Sequence, residues 1–208
     1  SRAGFISLKF GFKRGTALVA DMSGDGQDDL VVVWEDDASG KIKWAVNDLA
    51  TGRIRDFLFG DHGGTPVPGH YTGDAAANPA VYDDASGRFH IANGNGADND
   101  PIVLGNGGPN DVPVGGCDFD GDGKDDTALY DMTNGEWTIG LSGERRRMQK
   151  NFGHAGAIPV GFGVRLSLPH LPIIEPKDFN GTLWKTPNHS GNGTVVLVAS
   201  SFMDDYRN

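Results

Sequence analysis

The chain has 208 residues, of which 32 are glycine, and a formal net charge of −10 at neutral pH. This acidic balance argues against a nucleic-acid-binding protein, because a phosphate backbone attracts a basic surface. No apolar run approaches the ~20 residues of a membrane-spanning helix, and Cys117 is a single cysteine that allows no internal disulfide. Dense glycine without a long amphipathic helical pattern indicates short strands joined by tight turns, so the sequence predicts an all-β fold.

The first distinctive segment is an acidic loop at residues 21–29 with the spacing D-x-S-x-D-G-x-x-D. Calcium takes about six to eight hard oxygen ligands in a flexible geometry, and alternate residues of such a loop can supply them. A glycine at the sixth position permits the sharp turn, and the seventh position offers its backbone carbonyl. The expected calcium ligands are Asp21, Ser23, Asp25, the carbonyl of Gln27, and Asp29.

A strand, a tight turn and a second alternating strand follow this loop at residues 30–44, and the same pattern returns at 78–91 and 127–139. Each segment is typical of a β-hairpin. The glycines of the three turns are spaced 47 and 48 residues apart: Gly40, Gly87 and Gly135. Apolar residues at equivalent strand positions predict a shared core: Ile42, Phe89 and Trp137, and Trp44, Ile91 and Ile139.

A second landmark keeps the same period, namely a Phe-Gly or Leu-Gly pair before a glycine-rich stretch, at 59–60, 104–105 and 152–153. One unit of about 48 residues therefore contains an acidic loop, a hairpin and one or two further strands. Such a period is typical of the four-stranded blade of a β-propeller. The predicted units are about 16–62, 63–110 and 111–158.

In the second unit the acidic loop is eroded. Ala75 replaces the turn glycine, and only one of the aligned positions holds a carboxylate. These positions are His70, Thr72, Asp74, Ala76 and Asn78. We expect no ion there, and we expect the loop to be held by its own hydrogen bonds. Tyr71 in this loop is predicted to be an exposed contact residue.

The third unit carries the most complete acidic loop, at residues 118–126. Its four side-chain positions are all carboxylates, so the sequence predicts a tighter calcium site than in the first unit. Magnesium is disfavoured because it prefers a rigid octahedron with retained waters. The expected ligands are Asp118, Asp120, Asp122, the carbonyl of Lys124, and Asp126, with Gly123 in the turn.

Two motifs, Asp118-Phe-Asp-Gly-Asp-Gly-Lys-Asp-Asp126 and Phe152-Gly-His-Ala-Gly-Ala-Ile-Pro159, resemble the FG-GAP/VCBS repeats that also build the propeller of integrin α-subunits. The resemblance covers roughly residues 10–163. It implies a β-propeller at the cell surface or outside the cell, calcium in the blade loops, and binding to glycans or proteins. On this basis residues 1–163 are interpreted as propeller-type repeats and 164–208 as a C-terminal extension.

Three clear units are fewer than the usual minimum of about four blades. Residues 4–10 are interpreted as the last strand of a preceding blade, 169–176 as a proline-rich linker, and 182–185 and 194–200 as strands. The extension could close the propeller or begin a second β domain. The chain could also be a piece of a longer propeller, or its sheet edges could pair between chains in an oligomer. Arg145, Arg146 and Arg147 are predicted to begin a solvent-facing edge strand that could touch an acidic partner.

No catalytic motif is present: there is no nucleophile elbow, phosphate loop or paired metal-binding histidines. The clustered carboxylates are already accounted for by calcium, and a glycosidase needs two more carboxylates about 5–10 Å apart. The favoured function is therefore a non-catalytic, extracellular calcium-binding module that recognises a glycan or protein. Two alternatives stay open: a polysaccharide-active enzyme or its accessory domain, and a structural spacer in a surface protein.

Overall fold

The structure is a computed structural model that describes residues 7–11, 15–94, 96–99, 101–143, 146–159 and 173–174. All regular structure in these residues is β, with no helix, which confirms the predicted all-β class. None of the described segments is a helix long and apolar enough to cross a bilayer.

Twelve of the strands form three four-stranded antiparallel sheets, each built from consecutive strands in chain order. The first sheet contains β1 (Thr16–Ala20), β2 (Asp29–Asp36), β3 (Lys41–Asn47) and β4 (Ile54–Asp61). The second contains β5 (Thr65–Pro66), β6 (Ala80–Asp83), β7 (Arg88–Ile91) and β8 (Ile102–Val103). The third contains β9 (Asp111–Cys117), β10 (Asp126–Asp131), β11 (Glu136–Leu141) and β12 (Arg146–Asn151).

The three predicted hairpins are confirmed as the β2–β3, β6–β7 and β10–β11 pairs. Their turn glycines all have positive φ, from 67° at Gly40 to 78° at Gly135, a conformation that costs other residues about 1–2 kcal/mol. The carbonyl of Gly135 accepts a hydrogen bond from the Phe152 backbone N–H at 3.1 Å, and the carbonyl of Gly87 accepts one from Leu104 at 3.1 Å. The two sequence landmarks therefore touch in the second and third sheets, whereas in the first sheet the Gly40 carbonyl accepts a hydrogen bond from the His62 N–H at 3.3 Å.

The six equivalent apolar positions of the hairpins are all buried, as predicted. Two of them also satisfy a backbone carbonyl of the fourth strand or its end: the Trp44 indole N–H donates to Phe59 O at 2.9 Å, and that of Trp137 to Phe152 O at 2.9 Å. Trp137 aligns with Ile42 rather than with Trp44 when the turns are matched. The tryptophan that donates this indole hydrogen bond therefore lies one inward-facing position closer to the turn in the third sheet than in the first.

Neighbouring sheets share their cores. Val81 of β6 lies in the apolar cluster of the first sheet, and Leu129 of β10 lies in that of the second. The acidic loops also connect the units in a repeated way. Ala77 N–H donates to the Asp21 carbonyl at 2.7 Å, and Asp125 N–H donates to the His70 carbonyl at 3.1 Å. In both cases the eighth position of one loop bonds the first position of the loop before it. A closed ring of blades is not seen among the described residues, so the propeller stays a prediction.

Outside these sheets, β13 (Ile158–Pro159) pairs with β14 (Ile173–Ile174). The second of these lies within the proline-rich stretch that we interpreted as a linker. The strands predicted at 182–185 and 194–200, and most of the segment 4–10, lie outside the described residues. β12 is the exposed edge strand of the third sheet, which confirms that prediction for Arg146 and Arg147; Arg145 is not described.

Candidate metal centre

The third acidic loop connects β9 to β10 and places three carboxylates around a common point. Carboxylate oxygens of Asp118, Asp120 and Asp126 all lie within 4.8 Å of one another. Two oxygens on opposite sides of a calcium ion would be at most about 5 Å apart, since each calcium–oxygen bond is about 2.3–2.6 Å long. All three donors are hard oxygens. The geometry and the chemistry of this group therefore fit a calcium ion.

Backbone N–H groups of the loop hold Asp118 at the first position. Its two oxygens accept hydrogen bonds from Gly121 N at 2.7 Å and Gly123 N at 2.9 Å. A carboxylate has about four lone-pair sites, so these two bonds leave further sites for a metal. The bond from the sixth position shows how the loop curls around its first residue.

Asp126, at the ninth position, is the first residue of β10 and is fully buried. One of its oxygens accepts a hydrogen bond from Phe119 N at 2.7 Å, and the other from Ser142 N at 2.7 Å. Burial raises the pKa of this carboxyl, the two backbone donors lower it, and the Asp120 carboxylate raises it again. No described ion pair supplies a cation to Asp118, Asp120 or Asp126. A bound cation would offset both the desolvation of the Asp126 carboxylate and its repulsion by Asp120.

One of the predicted ligands is placed differently. The Asp122 carboxylate accepts hydrogen bonds from Lys124 N at 2.8 Å and from the Ser142 hydroxyl at 3.1 Å, and it is not part of the converging group. The Lys124 side chain packs against the second loop. A Cβ added to Gly73 would lie 3.1 Å from the Lys124 Cε. Whether the Lys124 carbonyl binds an ion stays a prediction.

The first loop has the same spacing but a different internal arrangement. Asp21 accepts backbone hydrogen bonds from Gly24 at 2.6 Å, Asp25 at 3.2 Å and Gly26 at 2.7 Å. Asp29 is buried and accepts one from Ser23 N at 2.8 Å. Burial raises the pKa of Asp29, a trend that the Ser23 bond opposes and the nearby carboxylates of Asp48 and Asp21 reinforce.

Its remaining predicted ligands lie toward solvent: Ser23, Asp25 and Gln27 are exposed, and Asp25 accepts the Gln27 N–H at 2.8 Å. The three carboxylates Asp21, Asp25 and Asp29 are not among the converging acidic groups found in the described residues. The loop is therefore shaped around Asp21, with its acidic side chains farther apart than in the third loop.

The second loop is held by side-chain hydrogen bonds. Asn78, at the ninth position, accepts from Thr72 N at 3.1 Å and from the Thr72 hydroxyl at 3.0 Å. The same hydroxyl lies 2.8 Å from an oxygen of Asp74. The Asn78 amide, which replaces a carboxylate at the ninth position, thus closes the loop through hydrogen bonds with the neutral groups of Thr72.

Tyr71 is not the exposed contact residue that the sequence suggested. It is buried, with 7% of its surface exposed, and its hydroxyl donates to the Val67 carbonyl at 2.9 Å. The prediction was wrong because the ring packs into the core of the second sheet, together with Phe89 and Leu104.

Sequence reasoning missed Asp125 and Ser142. Asp125 is 4% exposed, and its Oδ2 accepts the His70 N–H at 2.6 Å, so it links the second and third loops. The doublet of aspartates at the end of the loop was the available signal, because the predicted ligand set uses only the second of them. No spacing in the sequence identifies Ser142. This residue directly follows β11 and contacts the third loop only because the folded sheet brings the two together.

Cys117, the residue before Asp118, is half-buried. Burial raises the pKa of its thiol to about 11, and the carboxylates of Asp125 and Asp126 add to this effect. The thiol is therefore protonated at neutral pH. A nucleophile or a metal ligand would need the thiolate instead.

No protein-family model matches the chain, and comparisons with curated proteins and with solved structures likewise found no match.

Proposed function

We propose that this chain is a non-catalytic binding module, stabilised by calcium, that presents its loops outside the cell to a glycan or protein ligand. The observation that carries the proposal is the convergence of Asp118, Asp120 and Asp126 without a cationic partner among the described residues. Calcium is the favoured ion because the donors are all oxygens on a short, glycine-rich loop that can adjust its geometry.

We further propose that the three sheets are blades of a propeller-type repeat. Support comes from the identical strand order of the sheets and from the hydrogen bond that recurs between successive loops. In this arrangement calcium stabilises a loop within one blade that hydrogen-bonds to the loop of the blade before it. Metal binding then adds to the free energy of folding, since the converging site does not exist in the unfolded chain.

The ion's role in this proposal is structural. Backbone N–H groups already hold the carboxylates of Asp118 and Asp126, and Asp126 has no exposed surface through which to meet a substrate. An extracellular location accords with a loop of this kind, because calcium modules outside cells work with dissociation constants of about 10⁻⁴–10⁻³ M.

The test is thermal unfolding in saturating calcium and in EDTA, for the wild type, Asp118→Asn and Asp74→Asn. Asp74 lies in the second loop, where we expect no ion. At a calcium concentration about 100 times Kd the wild type should gain about 2.7 kcal/mol, which corresponds to a rise in Tm of roughly 5–10 °C for a domain of this size. Asp118→Asn should lose most of that rise, and Asp74→Asn should keep it. An unchanged wild-type midpoint would overturn the metal assignment.

A further inference from the structure

A cavity of about 490 Å³ lies between the second and third sheets and opens to solvent. Its walls include β8 of the second sheet and the end of β11 with the start of β12 of the third. Small-molecule sites in proteins have volumes of about 300–1,000 Å³. The cavity is therefore large enough for a saccharide unit or two.

Among the described residues, three cationic ones line this cavity: Lys124, Arg146 and Arg147. Arg146 pairs with the buried Leu141, so its side chain lies on the other face of β12 from that of Arg147. The described lining holds one carboxylate, that of Asp125, which is buried and accepts the His70 N–H. The chain as a whole carries a net charge of −10. A positive cavity on so acidic a protein would concentrate a negatively charged ligand at this one place.

Arg147 is held in position by the protein itself. Its Nη2 donates to the Val103 carbonyl, so the side chain connects β12 to β8 across the gap between the sheets. A guanidinium has five N–H donors, and this bond uses one of them. The others can bind a carboxylate or sulfate in the two-point geometry that arginine favours.

The rest of the lining is apolar with a few polar groups. Ile91, Leu104 and Leu141 are buried there, while Ile102 and Val103 are 41% and 45% exposed at β8. The aliphatic surface suits the C–H face of a sugar ring. Three uncharged polar residues also line the cavity: Thr72, Asn99 and Ser142.

We propose that this cavity binds an acidic saccharide, in which a sugar ring packs on the aliphatic surface and its carboxylate or sulfate is bound by Arg147 and Lys124. The inference deepens the proposed function, because it names the ligand class of the binding module and rests on that module being a glycan binder. The site is separate from the converging carboxylates of the third loop, although Ser142 belongs to the walls of both.

The experiment measures binding by isothermal titration calorimetry at 150 mM salt, in calcium and again in EDTA. The probes are three tetrasaccharides: one that contains glucuronic acid, its methyl ester, and a sulfated form of the ester. Inorganic sulfate alone is a fourth probe. The proteins are the wild type, Arg147→Gln, the double variant Lys124→Gln with Arg147→Gln, and Arg53→Gln. Arg53 is an exposed residue between β3 and β4 of the first sheet, so its variant matches the charge change away from the cavity.

The wild type and Arg53→Gln should bind the uronate or the sulfated probe at least tenfold more tightly than the neutral ester. Arg147→Gln should weaken that binding about tenfold, as expected for the loss of a charge-assisted contact, and the double variant should weaken it further. Arg147 lies on an exposed edge strand, and near-identical circular dichroism spectra would show that the variants stay folded.

Three results would overturn the inference: no binding of either acidic tetrasaccharide, equal binding of the acid and its ester, or inorganic sulfate binding as tightly as the sulfated probe. Calcium-dependent stability with no saccharide binding would leave the metal assignment intact and remove this inference alone. Conversely, saccharide binding in EDTA by a protein whose melting ignores calcium would support the cavity and overturn the metal assignment.

Discussion

The first and third acidic loops have the same length, the same glycine at the sixth position and the same aspartate at the ninth, yet only the third brings three carboxylates together among the described residues. The main difference lies at the third position, where Asp120 stands in one loop and Ser23 in the other. The Ser23 hydroxyl adds no charge and donates a hydrogen bond to Asp21 at 3.4 Å, whereas Asp120 adds a carboxylate to the third loop. A converging site needs both the shared backbone turn and a third carboxylate.

Surroundings widen the difference. In the third unit Ser142 donates to Asp126 and to Asp122, so neutral donors face the loop from β11. In the first unit the carboxylate of Asp48 lies near Asp29 and raises its pKa further. The two loops therefore differ in the repulsion between their carboxylates as well as in the number of ligands. A bound calcium ion would offset a different amount of this repulsion in each loop.

The largest expected effect concerns the hairpin turns of these two units. A Cβ on Gly135 would lie 2.6 Å from the Gly153 carbonyl carbon, whereas a Cβ on Gly40 would meet nothing within 4 Å. Both alanine variants carry the strain of positive φ, about 1–2 kcal/mol, and Gly135→Ala adds an overpacking cost of about 1–3 kcal/mol. Urea unfolding in EDTA should therefore show Gly135→Ala to be the less stable by that margin. Equal losses would mean that the turn and the Phe-Gly pair do not touch.

The next effect tests the third position directly. Asp120→Ser gives the third loop the composition of the first at this site, and we expect calcium to bind about 10–100 times more weakly, a loss of roughly 1.4–2.7 kcal/mol of calcium-dependent stability. In EDTA the variant should be at least as stable as the wild type, because one repelling charge is gone. The measurement is calcium titration followed by melting, with Asp74→Ser in the second loop as the matched control. A calcium response that is unchanged in Asp120→Ser would show that Asp120 is not a ligand.

Much of this architecture could be predicted from the sequence. Local periodicity and turn chemistry were enough to predict the hairpins and their glycine turns. They were also enough to predict the buried positions of Trp44 and Trp137. The spacing of the third loop likewise identified Asp118, Asp120 and Asp126 as neighbours.

The rest depends on contacts between units, which local patterns do not encode. Asp122 turns toward Ser142 because β11 brings that hydroxyl to the loop from 20 residues away. Tyr71 is buried because the second sheet offers it a core position and a carbonyl partner at Val67. The link from Asp125 to His70 spans 55 residues of sequence. Each of these needed the packing of the sheets before it could be seen.

The smallest expected effect is the reverse substitution, Ser23→Asp, which gives the first loop a carboxylate at the third position. In EDTA the new charge lies beside Asp21 and near the buried Asp29, so we expect a loss of about 0.5–1 kcal/mol, comparable to other close pairs of like charges at a partly exposed site. In calcium the loss should disappear or become a small gain, because the third carboxylate then serves as a ligand instead of a repelling neighbour. The measurement is thermal unfolding in EDTA and in calcium. The variant Ser39→Asp, at the exposed β2–β3 turn, is the control that separates an effect specific to the first loop from the general effect of an added charge. If Ser23→Asp stays destabilised in saturating calcium, the first loop cannot converge on an ion even with the full set of carboxylates, and the difference between the two units lies in their backbone and not at the third position.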